Sequence, residues 1–105
     1  MRISEAAVRS GLSIDTIRYY ENSGLLPKVA RGDDGRRQFS QQNIEWLTLL
    51  ASLRSTRMPM NRMRRFAQLY QRGDASIPER RQMLREHAAE LEKRNRAEIA
   101  DRTAE

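Results

Sequence analysis

The chain has 105 residues and a mass of 12.3 kDa, about the size of one small domain with a modest core. Hydrophobic residues make up 38% and charged residues 32%. No apolar run approaches the roughly 20 residues that cross a bilayer, the opening MRISEAAVRSGLS lacks the apolar segment of a secretory signal, and without Cys there is no disulfide framework or thiolate metal site. A soluble, cytoplasmic protein with no membrane partner is expected.

The formal charge of +6 is unevenly placed. Residues 1–40 hold 7 basic and 5 acidic side chains, residues 41–73 hold 6 and 1, and residues 74–105 hold 7 and 8, so the first 73 residues carry +7 and the remainder −1. This divides the chain into a polyanion-binding head, 1–73, and a segment with another task, 74–105. Charge alone leaves nucleic acid and an anionic membrane surface equally open.

In chain order, Ser4 is expected to cap a short helix that runs to about Ser10 and is broken by Gly11. Ser13 caps a second helix, Ile14 to about Asn22, with Asp15 in its first turn where the helix dipole favours an anion and Gly24 just past its end. Two short capped helices joined by a tight glycine turn form a helix-turn-helix pattern, although other helical hairpins share it. Asp34-Gly35 is a two-residue turn signal between short stretches that could pair as strands. The expected β-hairpin would present Arg31, Arg36 and Arg37 to solvent or to phosphate.

Ser40 caps a longer helix that ends near Thr56 and whose apolar residues, Ile44, Trp46, Leu47, Leu50 and Leu53 among them, face several directions, as in a central core helix. After a break at Met58-Pro59, a fourth helix carries Met60, Met63, Phe66, Leu69 and Tyr70 on one side and Arg62, Arg64 and Arg65 on another, closing at Gly73-Asp74. A final helix runs from Pro78 to about Arg102. Heptad spacing puts Ile77, Leu84 and Leu91 on one seam position and Arg81, Ala88 and Asn95 on the other, a short coiled-coil seam. So exposed a helix is marginal alone, and pairing with a second copy of the chain is the economical solution.

The run Ser13-Ile14-Asp15-Thr16-Ile17-Arg18-Tyr19-Tyr20-Glu21, followed by Gly24-Leu25-Leu26-Pro27, resembles the recognition helix of the MerR family of bacterial transcription regulators. Ile3-Ser4-Glu5-Ala6-Ala7 and Gly11-Leu12 resemble that family's first helix, and Gly35, Arg37, Phe39 and Ser40 its wing and the cap that follows. Met58-Pro59-Met60, Gly73-Asp74 and Ile77-Pro78-Glu79-Arg80-Arg81 extend the likeness over essentially the whole chain. The resemblance implies a mainly α fold: a winged helix-turn-helix with a small β-hairpin wing, a second wing from the third and fourth helices, and a long C-terminal helix forming an antiparallel coiled-coil homodimer. It also implies duplex promoter DNA as partner, at a two-fold symmetric site, with the spacer distorted so that RNA polymerase is served indirectly.

Carried over by position, Arg18 and Tyr19 would contact DNA, Arg37 would contact phosphate, and Thr16 would lie near the groove. Helical spacing puts Asp15, Arg18, Tyr19 and Asn22 opposite Ile14 and Ile17, free to reach a base edge or phosphate. Arg18 could also pair with Asp15, and Tyr20 is expected in the core. Leu84, Ala88, Leu91 and Asn95 are the expected dimerisation residues.

The sequence departs from the family's pattern where Arg36 replaces an aromatic after the wing glycine and where Arg57 occupies a helix end that often holds Gly. Metal-sensing and thiol-sensing members use cysteines, and the single His87 is expected at the surface or seam, so neither metal nor cofactor is expected. No Ser, His and carboxylate set points to an enzyme. A coiled-coil adaptor would leave the basic head unexplained, and an excisionase-like or other winged-helix protein would not need the C-terminal helix.

Overall fold

A computed structural model describes the backbone of residues 1–103 and the side chains of residues 1–99. Five α-helices follow in order: α1 (Ile3–Ser10), α2 (Ile14–Asn22), α3 (Gln41–Ser55), α4 (Met60–Gln71) and α5 (Ile77–Thr103), with a short 3-10 turn at Asp74–Ser76 leading into α5. The expected helices are all present.

Two caps act as expected. The Ser13 hydroxyl accepts from the backbone N–H of Thr16, and the Ser40 hydroxyl from that of Asn43, whose side chain returns the bond to Ser40 N and completes a capping box. Ser4 is not a cap. Helix α1 starts earlier, with Arg2 at the cap position and no side-chain bond there. The chain before it is held from outside: the Met1 amino group donates to Phe39 O at 2.8 Å, and Phe39 N donates to Met1 O at 2.7 Å.

The expected β-hairpin wing is not formed, and no strand occurs among the described residues. Arg31 and Arg37 make one isolated antiparallel bridge, flanked by bonds from Gly32 N to Arg36 O and from Gln38 N to Ala30 O. The tip is a wider loop than a two-residue turn, closed by Gly35 N to Gly32 O, with Gly35 at φ +77°. The ladder stops there among the described residues: no return bond runs from Ala30 N to Gln38 O, and the Val29 and Phe39 side chains are drawn into the core. A turn signal specifies a reversal, but a strand needs a paired neighbour residue after residue.

The core forms where α3 meets the other head helices. Trp46 stacks on Tyr70 with centroids 4.1 Å apart and on Phe66 at 5.6 Å, and its indole N–H donates to Leu25 O at 2.8 Å. Ile17, Tyr20, Leu25, Leu47, Leu50 and Met63 are buried around it. Helix α5 docks on α4 and then projects, so that the molecule measures 60 × 32 × 20 Å. The docking is polar as well as apolar. Ser76 accepts from Arg80 Nε at 2.9 Å, and the Arg80 guanidinium lies 5.4 Å over the Tyr70 ring.

Where α5 passes the turn after α3, Arg94 donates to Thr56 O at 2.9 Å and His87 Nε2 lies 2.6 Å from Thr56 Oγ1. His87 is buried between the helix and that turn instead of lying at the surface. Of the expected seam, Leu84 is half-buried against the chain's own core and Leu91 half-buried beside Ser55–Arg57, whereas Ala88 and Asn95 are exposed.

Candidate nucleic-acid interface

Helix α2 buries Ile17 and Tyr20 and turns Asp15, Arg18, Tyr19 and Asn22 outward, the division expected from its spacing. Arg18 is exposed and makes no pair with Asp15, so its guanidinium is available to a ligand. Tyr19 is 49% exposed, with its ring 6.1 Å from that of Tyr20. The buried Tyr20 hydroxyl has no hydrogen-bond partner among the described residues.

Thr16 is half-buried at the start of α2. Its hydroxyl oxygen accepts from Ser13 Oγ at 2.8 Å and from Arg54 at 3.2 Å. Arg54, at the end of α3, thereby joins α2 and lines a cleft of about 300 Å³ with Asp15, Thr16 and Tyr19. No motif in the sequence marks it. The only signal for it was the excess of basic residues over 41–73, which does not say which arginine reaches α2.

The loop arginines differ from one another. Arg31 donates to Gly35 O at 2.8 Å and so braces the loop from within. Arg36 points its side chain to solvent, while its backbone N–H donates to Asp34 Oδ1 at 3.0 Å. Arg37 is the least exposed of the three. Its Nε lies 2.8 and 2.9 Å from the two carboxylate oxygens of Glu21, fastening the loop to the last turn of α2. Arg2, also unanticipated, pairs with Asp34 at 3.1 Å and brings a fourth guanidinium to a cleft of about 360 Å³ between the loop and the start of α1.

The expected contact residues therefore form two groups. Thr16, Arg18 and Tyr19 lie on α2 with Arg54 beside them, and Arg31, Arg36 and Arg37 lie on the loop with Arg2. The Arg37–Glu21 pair joins one group to the other. Among the described residues no group of three or more His, Asp or Glu side chains is placed to hold a metal ion.

Two short helices joined by a glycine turn, the second capped by Ser13 and carrying an outward arginine with a basic loop beside it, define a helix-turn-helix protein. Residues 1–70 match the model of the MerR HTH family regulatory proteins, and the chain belongs to that family. It is 40% identical over 77 residues to an HTH-type transcriptional regulator of Haemophilus influenzae, covering 73% of this chain and 57% of that protein. It is 30% identical over 91 residues to the regulator AdhR of Bacillus subtilis, covering 87% and 65%. The chain thus spans less than two thirds of the length of either relative.

Among solved structures, a MerR family transcriptional regulator from Listeria monocytogenes superposes with a TM-score of 0.86 at 30% identity, covering 99% of this chain and 80% of that one. A MerR family regulator lacking the sensor domain, solved bound to promoter DNA, superposes with a TM-score of 0.81 at 33% identity, covering 99% and 78%.

Proposed function

We propose that the protein is a sequence-specific transcriptional regulator that binds double-stranded promoter DNA as a homodimer. The observation that carries this is the outward face of α2, where Arg18 and Tyr19 stand exposed between Arg54 and the loop arginines. That the neighbour at 33% identity was solved on promoter DNA supports the same partner here.

In this reading Arg18 and Tyr19 reach base edges, while Arg31, Arg36 and Arg37 make the loop a wing over the phosphate backbone although it lacks strands. Residues 1–73 are the DNA-binding head and 74–105 the pairing segment, with Ala88 and Asn95 the exposed positions of the seam and Leu84 and Leu91 contributing the surface that the head leaves uncovered. Two heads at a fixed separation then distort the promoter spacer, and RNA polymerase is affected through the shape of the DNA. Smooth bending of a site by tens of degrees costs roughly 1 to 6 kcal/mol, which added phosphate contacts can offset. A cytoplasmic location goes with this role, and among the described residues no helix is long and apolar enough to cross a membrane.

Selection from random duplex DNA tests the proposal. Recovery of a two-fold symmetric site, with an anomalous mobility shift when that site is moved along a fragment, is the expected result. Enrichment of no sequence would overturn specific recognition, and an enriched site without a bend would replace distortion by simple occlusion.

A further inference from the structure

A second concentration of positive charge lies away from the loop, where the turn between α3 and α4 meets α5. Arg57 and Arg62 from the head and Arg94 from α5 line a cleft of about 440 Å³, with His87 and Glu90 on its α5 side. Its charge is poorly balanced. Arg57 and Arg62 have no ion pair or side-chain hydrogen bond among the described residues, and Arg94 donates to the uncharged Thr56 carbonyl. Glu90, the one carboxylate lining the cleft among the described residues, lies 3.9 Å from Lys93 on its own helix. At the loop, Arg2 is paired with Asp34 and Arg37 with Glu21, which leaves Arg31, bonded to the Gly35 carbonyl, and Arg36 without a carboxylate among the described residues.

We propose that this cleft binds a small multivalent oxyanion, of phosphate or polycarboxylate type, held by Arg57, Arg62 and Arg94. Guanidinium groups suit such a ligand because their planar donors match paired oxyanion oxygens. Arg94 is already oriented by Thr56, so less freedom is lost when it binds. The excess charge is also registered at the cleft wall: the His87 imidazole is held below its usual pKa, first by burial and then by Arg94 and Arg62. An anion seated there would tie the turn after α3 to α5, linking the head to the pairing helix. The proposal goes beyond DNA recognition and is testable on the DNA-free chain.

The probe is inorganic pyrophosphate, titrated calorimetrically into the whole chain at low ionic strength. One site per chain is expected. The double variant Arg57→Gly/Arg62→Gln should bind about tenfold more weakly or worse, as the loss of two charged contacts implies. Arg64→Gln/Arg72→Gln, with the same loss of charge on exposed positions elsewhere, should bind as the parent does. The chain has a single His, so its imidazole resonance is an unambiguous second readout. Saturating pyrophosphate should raise the His87 pKa, because a nearby anion favours the imidazolium. No binding to the DNA-free chain, equal weakening in both double variants, or an unmoved His87 titration would each overturn the site. If pyrophosphate fails to bind while Arg57→Gly/Arg62→Gln weakens duplex binding, the cleft serves the DNA backbone and the proposal falls.

Discussion

Arg37 and Glu21, sixteen positions apart, form a two-oxygen ion pair that ties the basic loop to the C-terminal turn of the recognition helix. Arg37 was expected to reach phosphate from the wing; its Nε faces the protein instead. If its task is positioning, Glu21→Gln and Arg37→Gln should weaken DNA binding by similar factors, and the double variant by little more than either. Their coupling in a stability cycle should be about 1 kcal/mol, given partial burial and two short contacts. Normal affinity in Glu21→Gln with loss in Arg37→Gln would return Arg37 to direct phosphate contact.

Arg18 and Arg54 flank the same stretch of α2 but differ in what they can report. Arg18 is exposed and unpaired, so Arg18→Ala should narrow the ratio of specific to non-specific affinity by about 1 to 3 kcal/mol if it makes a base contact. Arg54 is tied to Thr16, and Arg54→Ala should weaken all duplexes alike and flatten the salt dependence. Titrations against operator and scrambled duplexes at several salt concentrations separate the two. Equal specificity ratios in the two variants would refute this division.

Helices α2 and α3 end in the same way. After α2, Leu25 N donates to Tyr20 O and Gly24 N to Glu21 O, with Gly24 at φ +82°; after α3, Met58 N donates to Leu53 O and Arg57 N to Arg54 O, with Arg57 at φ +64°. Only the second uses a residue with a Cβ, for which the left-handed conformation is unfavourable. Arg57→Gly should raise stability by about 0.5 to 1 kcal/mol, seen as a higher urea midpoint with an unchanged slope. A lower midpoint would mean that the Arg57 side chain contributes more than its backbone costs.

Burial, Arg94 and Arg62 hold the folded-state pKa of His87 below the ordinary 6.5. The unfolded chain therefore binds the proton more readily, and stability is fully present above about pH 6.5. It declines as pH falls through 6.5 toward the lowered value, then levels off. His87→Gln should remove that part of the pH dependence in denaturation curves between pH 7.5 and pH 5, taken as about one unit either side of the ordinary His range. An identical slope in parent and variant would assign the effect to other groups.

Leu84 and Leu91 are each partly covered by the chain's own head, so a charge at either would disturb folding as well as pairing. Ala88 is exposed in the single chain and gives a cleaner test. Ala88→Glu should leave the helical signal intact while shifting light scattering toward monomer, because it puts a charge into the proposed seam. A variant that stays dimeric would move the interface to another face of α5.

What was legible in the sequence was local. Ser13 and Ser40 cap their own third residues, Gly24 ends the helix just before it, and the 3.6-residue spacing of α2 turns Arg18 away from the face that buries Ile17 and Tyr20; each needs only a few neighbouring positions. Arg37 with Glu21, Arg54 with Thr16 and Met1 with Phe39 join positions 16 or 38 apart, and no periodicity encodes them. The hairpin is shorter than the sequence suggests for the same reason, since Asp34-Gly35 announces a turn while the extent of pairing depends on how Val29 and Phe39 pack into the core. His87 was expected at the surface or seam because helix spacing does not show that the turn after α3 covers it.

Trp46 is the chain's only tryptophan, stacked on Tyr70 and bonded to Leu25 O at the meeting point of α3, α4 and the segment after α2. Its fluorescence therefore belongs to the head alone, whereas far-ultraviolet dichroism counts the 27 residues of α5 together with the 8, 9, 15 and 12 of α1 to α4. The molecule thus carries one optical reporter for the head and one for all of its helices. Coincident melting curves from them would show head and helix unfolding as one cooperative unit, and a dichroism change that precedes the Trp46 change would show α5 unravelling first.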